Sequence, residues 1–233
     1  MKEGLIEKIR SKAYWRINFR PLTLPMEDLS LPNCNVIVDR SHVELRGWDY
    51  PHISNRNDDS SGRGPAGEYY ENWVDWNDHI EFWRMYRSTQ FLHYRALGED
   101  WVVWTKYHSG RPPKPGAVSV LGSIWLLTEI IEFLFRLYRN GIYGSGVEIS
   151  IKLEGAADRH LWIGEFDRMP FSYDRITKAN AVSISRKVEP NLLQAANHDD
   201  FSDVIVEFFE NFDWTPDLSS LRSDQRKLLT RQF

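Results

Sequence analysis

Three consecutive runs, Tyr69–Trp76, His79–Arg87 and Gln90–Leu97, are rich in aromatic residues and are separated only by the dipeptides Asn77-Asp78 and Ser88-Thr89. A two-residue break leaves room for a tight turn and nothing else, so the runs are expected as neighbouring strands of an antiparallel meander. In the middle run Ile80, Phe82, Arg84 and Tyr86 share one face; His79, Glu81, Trp83, Met85 and Arg87 share the other, because strand side chains alternate. Neither face is plainly polar. A sheet of this kind is covered on both sides, with helices on one and loops or a partner on the other.

The aromatic concentration extends upstream. Six of the ten Trp lie between Trp48 and Trp104. Val43, Leu45 and Gly47 alternate with Glu44, Arg46 and Trp48, which reads as a further strand ended by Pro51. Residues 54–67 are Asn, Asp, Ser and Gly with few apolar side chains. That segment is expected as a mobile surface loop, and beside the aromatic runs as a lid or specificity loop.

Elsewhere, Leu5, Ile6 and Ile9 mark a short amphipathic helix within 2–12. Tyr14–Phe19 alternates as a strand stopped by Pro21 and Pro25. Residues 26–39 hold a helix or an irregular turn, its length limited by Pro32 and Asn33. Residues 105–117 form an extended Pro/Gly connector. In 119–139 the residues Leu121, Ile124, Thr128, Ile131, Phe135 and Tyr138 repeat at three and four, and Leu127, Ile130 and Leu134 widen the arc. A helix so apolar is buried on most sides and belongs across the sheet. Strands follow at 147–153, at 160–164 (joined to the first around Gly155) and at 181–188. Short helices are expected at 190–196 and 201–212, and a weak, charged, frayed or partner-bound helix at 218–231. The expected fold class is α+β: an antiparallel aromatic-rich sheet packed on a long central helix. Residues 1–196 form the α+β domain and 197–233 a C-terminal helical extension packed on it.

With 233 residues and 42% hydrophobic content the chain can build a substantial core. Its net charge of −4 argues against non-specific nucleic-acid affinity of the whole surface. Arg10, Lys12, Arg16 and Arg20 near the start, and Arg222, Arg226, Lys227 and Arg231 at the end, leave local basic faces, which as solvated side chains need no partner. One cysteine, Cys34, excludes internal disulfides and thiolate metal clusters and fits a reducing compartment. The charged N-terminus is no signal peptide, and Val118–Leu127 is too short to span a bilayer. A soluble cytoplasmic protein without membrane contact is expected.

The sequence offers five candidate sites. Arg46, Trp48, Tyr50, Trp76, Trp83, Arg84, Tyr86 and Arg87 interleave rings with guanidiniums, as surfaces that bind bases, phosphates or proteins do; rings of this sort also simply fill cores. Asp49, His52, Glu81 and His93 would form an acid–base site if the strand after Arg46 met the hairpin; otherwise Asp49 and His52 cap the turn at Pro51. His79, Glu81 and His93 could hold a divalent ion, but no ligand spacing supports it, and neither a metal nor a cofactor is expected. Cys34 reads as a buried thiol, and Gly141, Gly144 and Gly146 as a helix-to-strand connection.

The segments VELRGWDYPHI and WVDWNDHIEFWRMYRSTQF, with the Trp-bearing helix after Val120, resemble a bacterial domain that occurs alone or behind DNA-binding modules of the Schlafen/AlbA type. Asp49–His52, Glu81–Arg84 and Ser88–Phe91 carry the resemblance, which would cover most of 14–210. It implies a prokaryotic cytosolic accessory or sensing domain in regulation or antiviral defence, and it assigns no catalytic residue. The leading expectation is therefore a non-catalytic module that binds a ligand, a nucleic-acid strand or a protein. A metal-dependent or acid–base hydrolase or nuclease, and a structural subunit dimerising through its aromatic face, are the alternatives.

Overall fold

The computed structural model describes residues 1–103 and 110–232. In chain order its elements are α1 (Leu5–Arg10), β1 (Tyr14–Pro21), α2 (Leu31–Ser41), β2 (Ser61–Ala66), β3 (Tyr69–Trp76), β4 (His79–Tyr86), β5 (Phe91–Ala96), β6 (Ala117–Ser119), α3 (Val120–Arg139), β7 (Val147–Glu154), β8 (His160–Trp162), β9 (Ala181–Val188), α4 (Pro190–Ala195), α5 (Ser202–Glu210) and α6 (Leu218–Leu229). The fold is α+β. One antiparallel sheet runs β2-β3-β4-β5-β1-β7-β9. The meander expected from the two dipeptide breaks is its β3-β4-β5 part; Asn77 and Thr89 adopt the positive φ that such turns demand.

Strand alternation divides the side chains between two faces. Trp15, Ile17 and Phe19 of β1, Val147, Ile149 and Ile151 of β7 and Trp83 and Met85 of β4 point into the main core with α3. The 20-residue α3 starts at Ser119, whose hydroxyl accepts from Gly122 N at 2.9 Å, and ends at Asn140-Gly141, with Gly141 at φ 87°. Phe201, Val204, Phe208 and Phe212 join this core from the C-terminal helices. Each such side chain contributes roughly 1.5–3 kcal/mol by leaving water. On the opposite face, Leu5 and Ile9 of α1 cover Ile80, Phe82, Tyr94 and Ala96. Cys34 is fully buried in α2, and burial pushes its thiol up to about 11, so it is a packing residue. Among the described residues no helix is long and apolar enough to cross a membrane.

Several expectations need correction. Residues 43–53 are not a strand: only Val43 and Tyr50 pair, by an isolated bridge. β3 and β4 are already hydrogen-bonded on both sides, so this segment lies over a sheet face instead of adding to an edge. The run 54–67 is not a mobile loop; its second half is the edge strand β2. There Gly62 serves packing: the Trp73 indole lies over it, and a Cβ would come within 2.7 Å of Trp73 Nε1. Pro65 is tolerated because β2 is an edge. Residues 160–164 do not pair with 147–153; β8 pairs in parallel with β6 as a separate two-stranded sheet. Of residues 26–39, those from Leu31 on form α2, one of the two expected outcomes, and Pro32 does not break it because it sits in the first turn, where its missing N–H is no loss. The 218–231 helix is well anchored: Leu221 and Leu228 are buried, and Asp224 takes a bidentate pair from Arg168. Of the expected 105–117 connector, 105–109 lie outside the described residues and 110–116 are irregular.

Candidate functional site

The segment 42–60 crosses the β3-β4 part of the sheet on the α3 side and is tied down by side chains, since it has no ladder of its own. Asn72 of β3 clamps Ser54 twice, Ser54 N donating to Oδ1 at 3.2 Å and Nδ2 donating to Ser54 O at 3.1 Å. Trp83 Nε1 donates to His52 O at 2.8 Å. Asp49 accepts from Ile53 N at 3.0 Å and holds His52 Nδ1 at 2.5 Å, closing the turn around the cis Tyr50–Pro51 bond. Asp58 does the same for the next turn, accepting from the backbone N–H groups of Ser60 and Ser61 at 2.9 Å each.

Beneath this segment lies a buried polar chain. Trp48 Nε1 donates to Glu81 Oε1 at 2.8 Å, and His93 Nε2 bonds Glu81 Oε2 at 2.6 Å. Tyr50 Oη lies 3.2 Å from His93 Nδ1. Glu81, His93 and Tyr50 are essentially inaccessible to solvent. Burial alone would raise the Glu81 carboxyl; the nearby Arg95 guanidinium and the His93 hydrogen bond outweigh it and hold it well below the usual carboxylate range. Burial pushes the His93 imidazole down against the pull of Glu81, and it pushes the Tyr50 phenol well up. The protonation pattern follows: Tyr50 O–H donates to His93 Nδ1, neutral His93 donates Nε2–H to Glu81, and Glu81 is the anion that accepts from two sides.

Trp48 joins this chain to the surface. His52 and His79 stack on its ring with centroids at 4.0 and 3.8 Å, and Trp76 follows at 6.1 Å. Burial also pushes the His79 imidazole down, partly offset by Asp78. Beside Trp48 opens a cleft of about 340 Å³, walled by Trp48, Trp76 and His52 and edged by Ser54, Asn55 and Arg56. Trp76 is 53% exposed. His52 Nε2, the nitrogen not held by Asp49, carries no hydrogen bond among the described residues.

The four acid–base candidates are thus brought together but not into one open site. His52 stands at the cleft with Asp49 bracing it from behind, whereas Glu81 and His93 are sealed behind Trp48. The aromatic–Arg set divides more sharply. Trp48 and Trp76 share the cleft; Tyr50 and Trp83 are core. Arg84 and Tyr86 project from the other face of β4, where Arg84 donates to Glu71 at 3.2 Å and lies 4.4 Å from the Tyr69 ring centre. Arg87 donates to Leu29 O at 3.1 Å. Arg46 reaches the opposite way and forms a bidentate pair with buried Glu129 of α3 at 2.8 and 2.6 Å. These residues form no single aromatic–Arg surface, because successive side chains of one strand leave opposite faces. Among the described residues no group of three His, Cys, Asp or Glu side chains is arranged to hold a metal ion; His79 stacks on Trp48 instead of joining Glu81 and His93.

Ser54, Asn55 and Arg56 belong to the run 54–67, which the sequence marks as a whole as a lid or specificity loop beside the rings without separating these three from the rest. No known protein family, curated protein or solved structure matches this chain.

Proposed function

We propose that the protein is a non-catalytic binding module whose ligand is a small planar molecule seated in the Trp48–Trp76 cleft. The carrying observation is a half-exposed indole beside an aromatic wall, with hydrogen-bonding groups converging on its rim. Small-molecule sites are concave, of about 300–1,000 Å³, with apolar walls and few polar groups. A heteroaromatic ring such as a nucleobase stacks on Trp76 and presents its polar edge to Ser54, Asn55 and Arg56. A protein or a long strand fits less well, since the other rings of the ribbon are buried or face the far side. The cytosolic regulatory or defence setting rests on the resemblance in Asp49–His52, Glu81–Arg84 and Ser88–Phe91.

A panel of nucleosides screened by saturation-transfer NMR tests this reading. At least one should bind saturably to the wild type. Trp76→Ala should weaken it by about 10- to 100-fold, the loss of one stacked ring at roughly 1–3 kcal/mol, with thermal unfolding unchanged. Absence of binding across the panel, or binding that survives the substitution, removes this reading. The Asp49-braced His52 with its free Nε2 favours acid–base hydrolysis as a second reading. Under it a bound nucleotide ester is consumed, and His52→Ala stops consumption while binding persists. Under the first reading nothing is consumed.

A further inference from the structure

On the opposite face of the sheet, beyond the patch covered by α1, the β1-β7-β9 surface is open and almost wholly polar: Ser183, Ser185 and Lys187 of β9 are exposed. Arg16 of β1 and Lys152 of β7 are directly opposite each other in the antiparallel register, and Arg20 lies on the same face four residues along β1. Like charges placed opposite each other across two strands repel and cost stability. Among the described residues neither Arg16, Arg20 nor Lys152 has an ion-pair partner. The three surround a depression of about 210 Å³ floored by Asn18, Ser150 and Ser185. Glu148 stands at its rim, opposite Arg20 and Lys187 in the strand registers.

We propose that this depression is a second binding site, separate from the Trp48 cleft, for a small molecule bearing a phosphate or diphosphate group. Three cations without a carboxylate partner match a multiply charged anion, and of the floor groups the Ser150 hydroxyl can donate to one of its oxygens, whereas the Ser185 hydroxyl donates to Ile149 O and the Asn18 amide contacts Gln90. The absence of apolar side chains argues against a dry protein interface. The net charge of −4 and the confinement of the cations to one small depression argue against a long nucleic-acid strand, which needs phosphate contacts along an extended track.

The experiment is calorimetric titration with inorganic pyrophosphate, phosphate and acetate at matched ionic strength, on the wild type, Arg16→Gln/Lys152→Gln and Lys178→Gln. Lys178 is an exposed cation paired with Asp158 elsewhere on the surface. Saturable binding of pyrophosphate and phosphate but not acetate is expected in the wild type and in Lys178→Gln. The double variant should bind at least about tenfold more weakly, as removal of a charge-assisted hydrogen bond implies. Without anion it should be as thermally stable as the wild type or more so, because the repulsion is gone. Equal binding of acetate, or survival of pyrophosphate binding in the double variant, overturns the proposal. So does a single-stranded oligonucleotide that binds more tightly than pyrophosphate with affinity rising with its length, which would assign the face to a polymer.

Discussion

Arg46→Met is expected to lower the stability of the fold by about 3–5 kcal/mol, the usual cost of stranding a buried charge. The Glu129 carboxylate is inaccessible to solvent in the middle of α3, and both its oxygens are engaged by Arg46. Methionine keeps the length and the apolar stem of arginine but offers no donor. The effect on Glu129 is the point: the pair itself contributes little relative to two apolar residues, whereas half of it is costly. Arg46→Met/Glu129→Leu should therefore recover most of the loss. Urea unfolding with the slope held constant measures both changes. A single variant within about 0.5 kcal/mol of the wild type, the range of an exposed surface pair, would mean that Glu129 finds water or another donor. The pair also fixes the start of the segment that carries Trp48, so the prediction links the packing of α3 to the cleft.

The sequence disclosed what depends on local period and missed what depends on which surfaces are left vacant. The β3-β4-β5 meander and α3 follow from alternation and from repeats at three and four, and both stand where they were expected. The segment 43–53 alternates as cleanly as a strand, yet period alone does not say whether an edge is free to receive it. Here the edge of β3 is taken by β2, a run whose Gly and Pro disguised it. Gly62 looked like flexibility and is a seat for Trp73, a relation that appears only when register pairs the two. The site behaves likewise. Asp49 with His52 and Glu81 with His93 were legible as residue types, but the indole that separates the open pair from the sealed one is a tertiary fact. Arg46 was read as a binding cation, and its partner Glu129 is 83 residues away.

The second large effect concerns Glu81. Glu81→Gln keeps the shape of the side chain but replaces an acceptor-only group with one that both accepts and donates. Trp48 Nε1 and His93 Nε2 each approach a carboxylate oxygen as donors, so one of them now meets an amide N–H. A buried donor left without an acceptor costs about 1–3 kcal/mol, and at neutral pH the variant should be less stable by that amount. The pH dependence is more diagnostic. The folded Glu81 pKa lies below its unfolded value, so its contribution is fully present above the ordinary glutamate pKa of about 4.3 and is lost as pH falls from there towards the depressed folded value. His93, also depressed, begins to weaken the fold earlier, as pH falls below about 6.5. Other carboxylates add to the acid slope of both proteins, but the difference between the two stability curves reports the Glu81–His93 pair, because Glu81 also supports the His93 imidazole. That difference should be largest near pH 7 and shrink below about pH 4.3. Curves that stay parallel down to pH 3 would show that Glu81 is not the ionised acceptor. Because Trp48 is one of the two donors, the same substitution should loosen the indole under the cleft and weaken ligand binding to the wall it forms, whereas Trp76→Ala removes a wall and leaves stability untouched. The two variants thus separate the carboxylate that orients the site from the ring that meets the ligand.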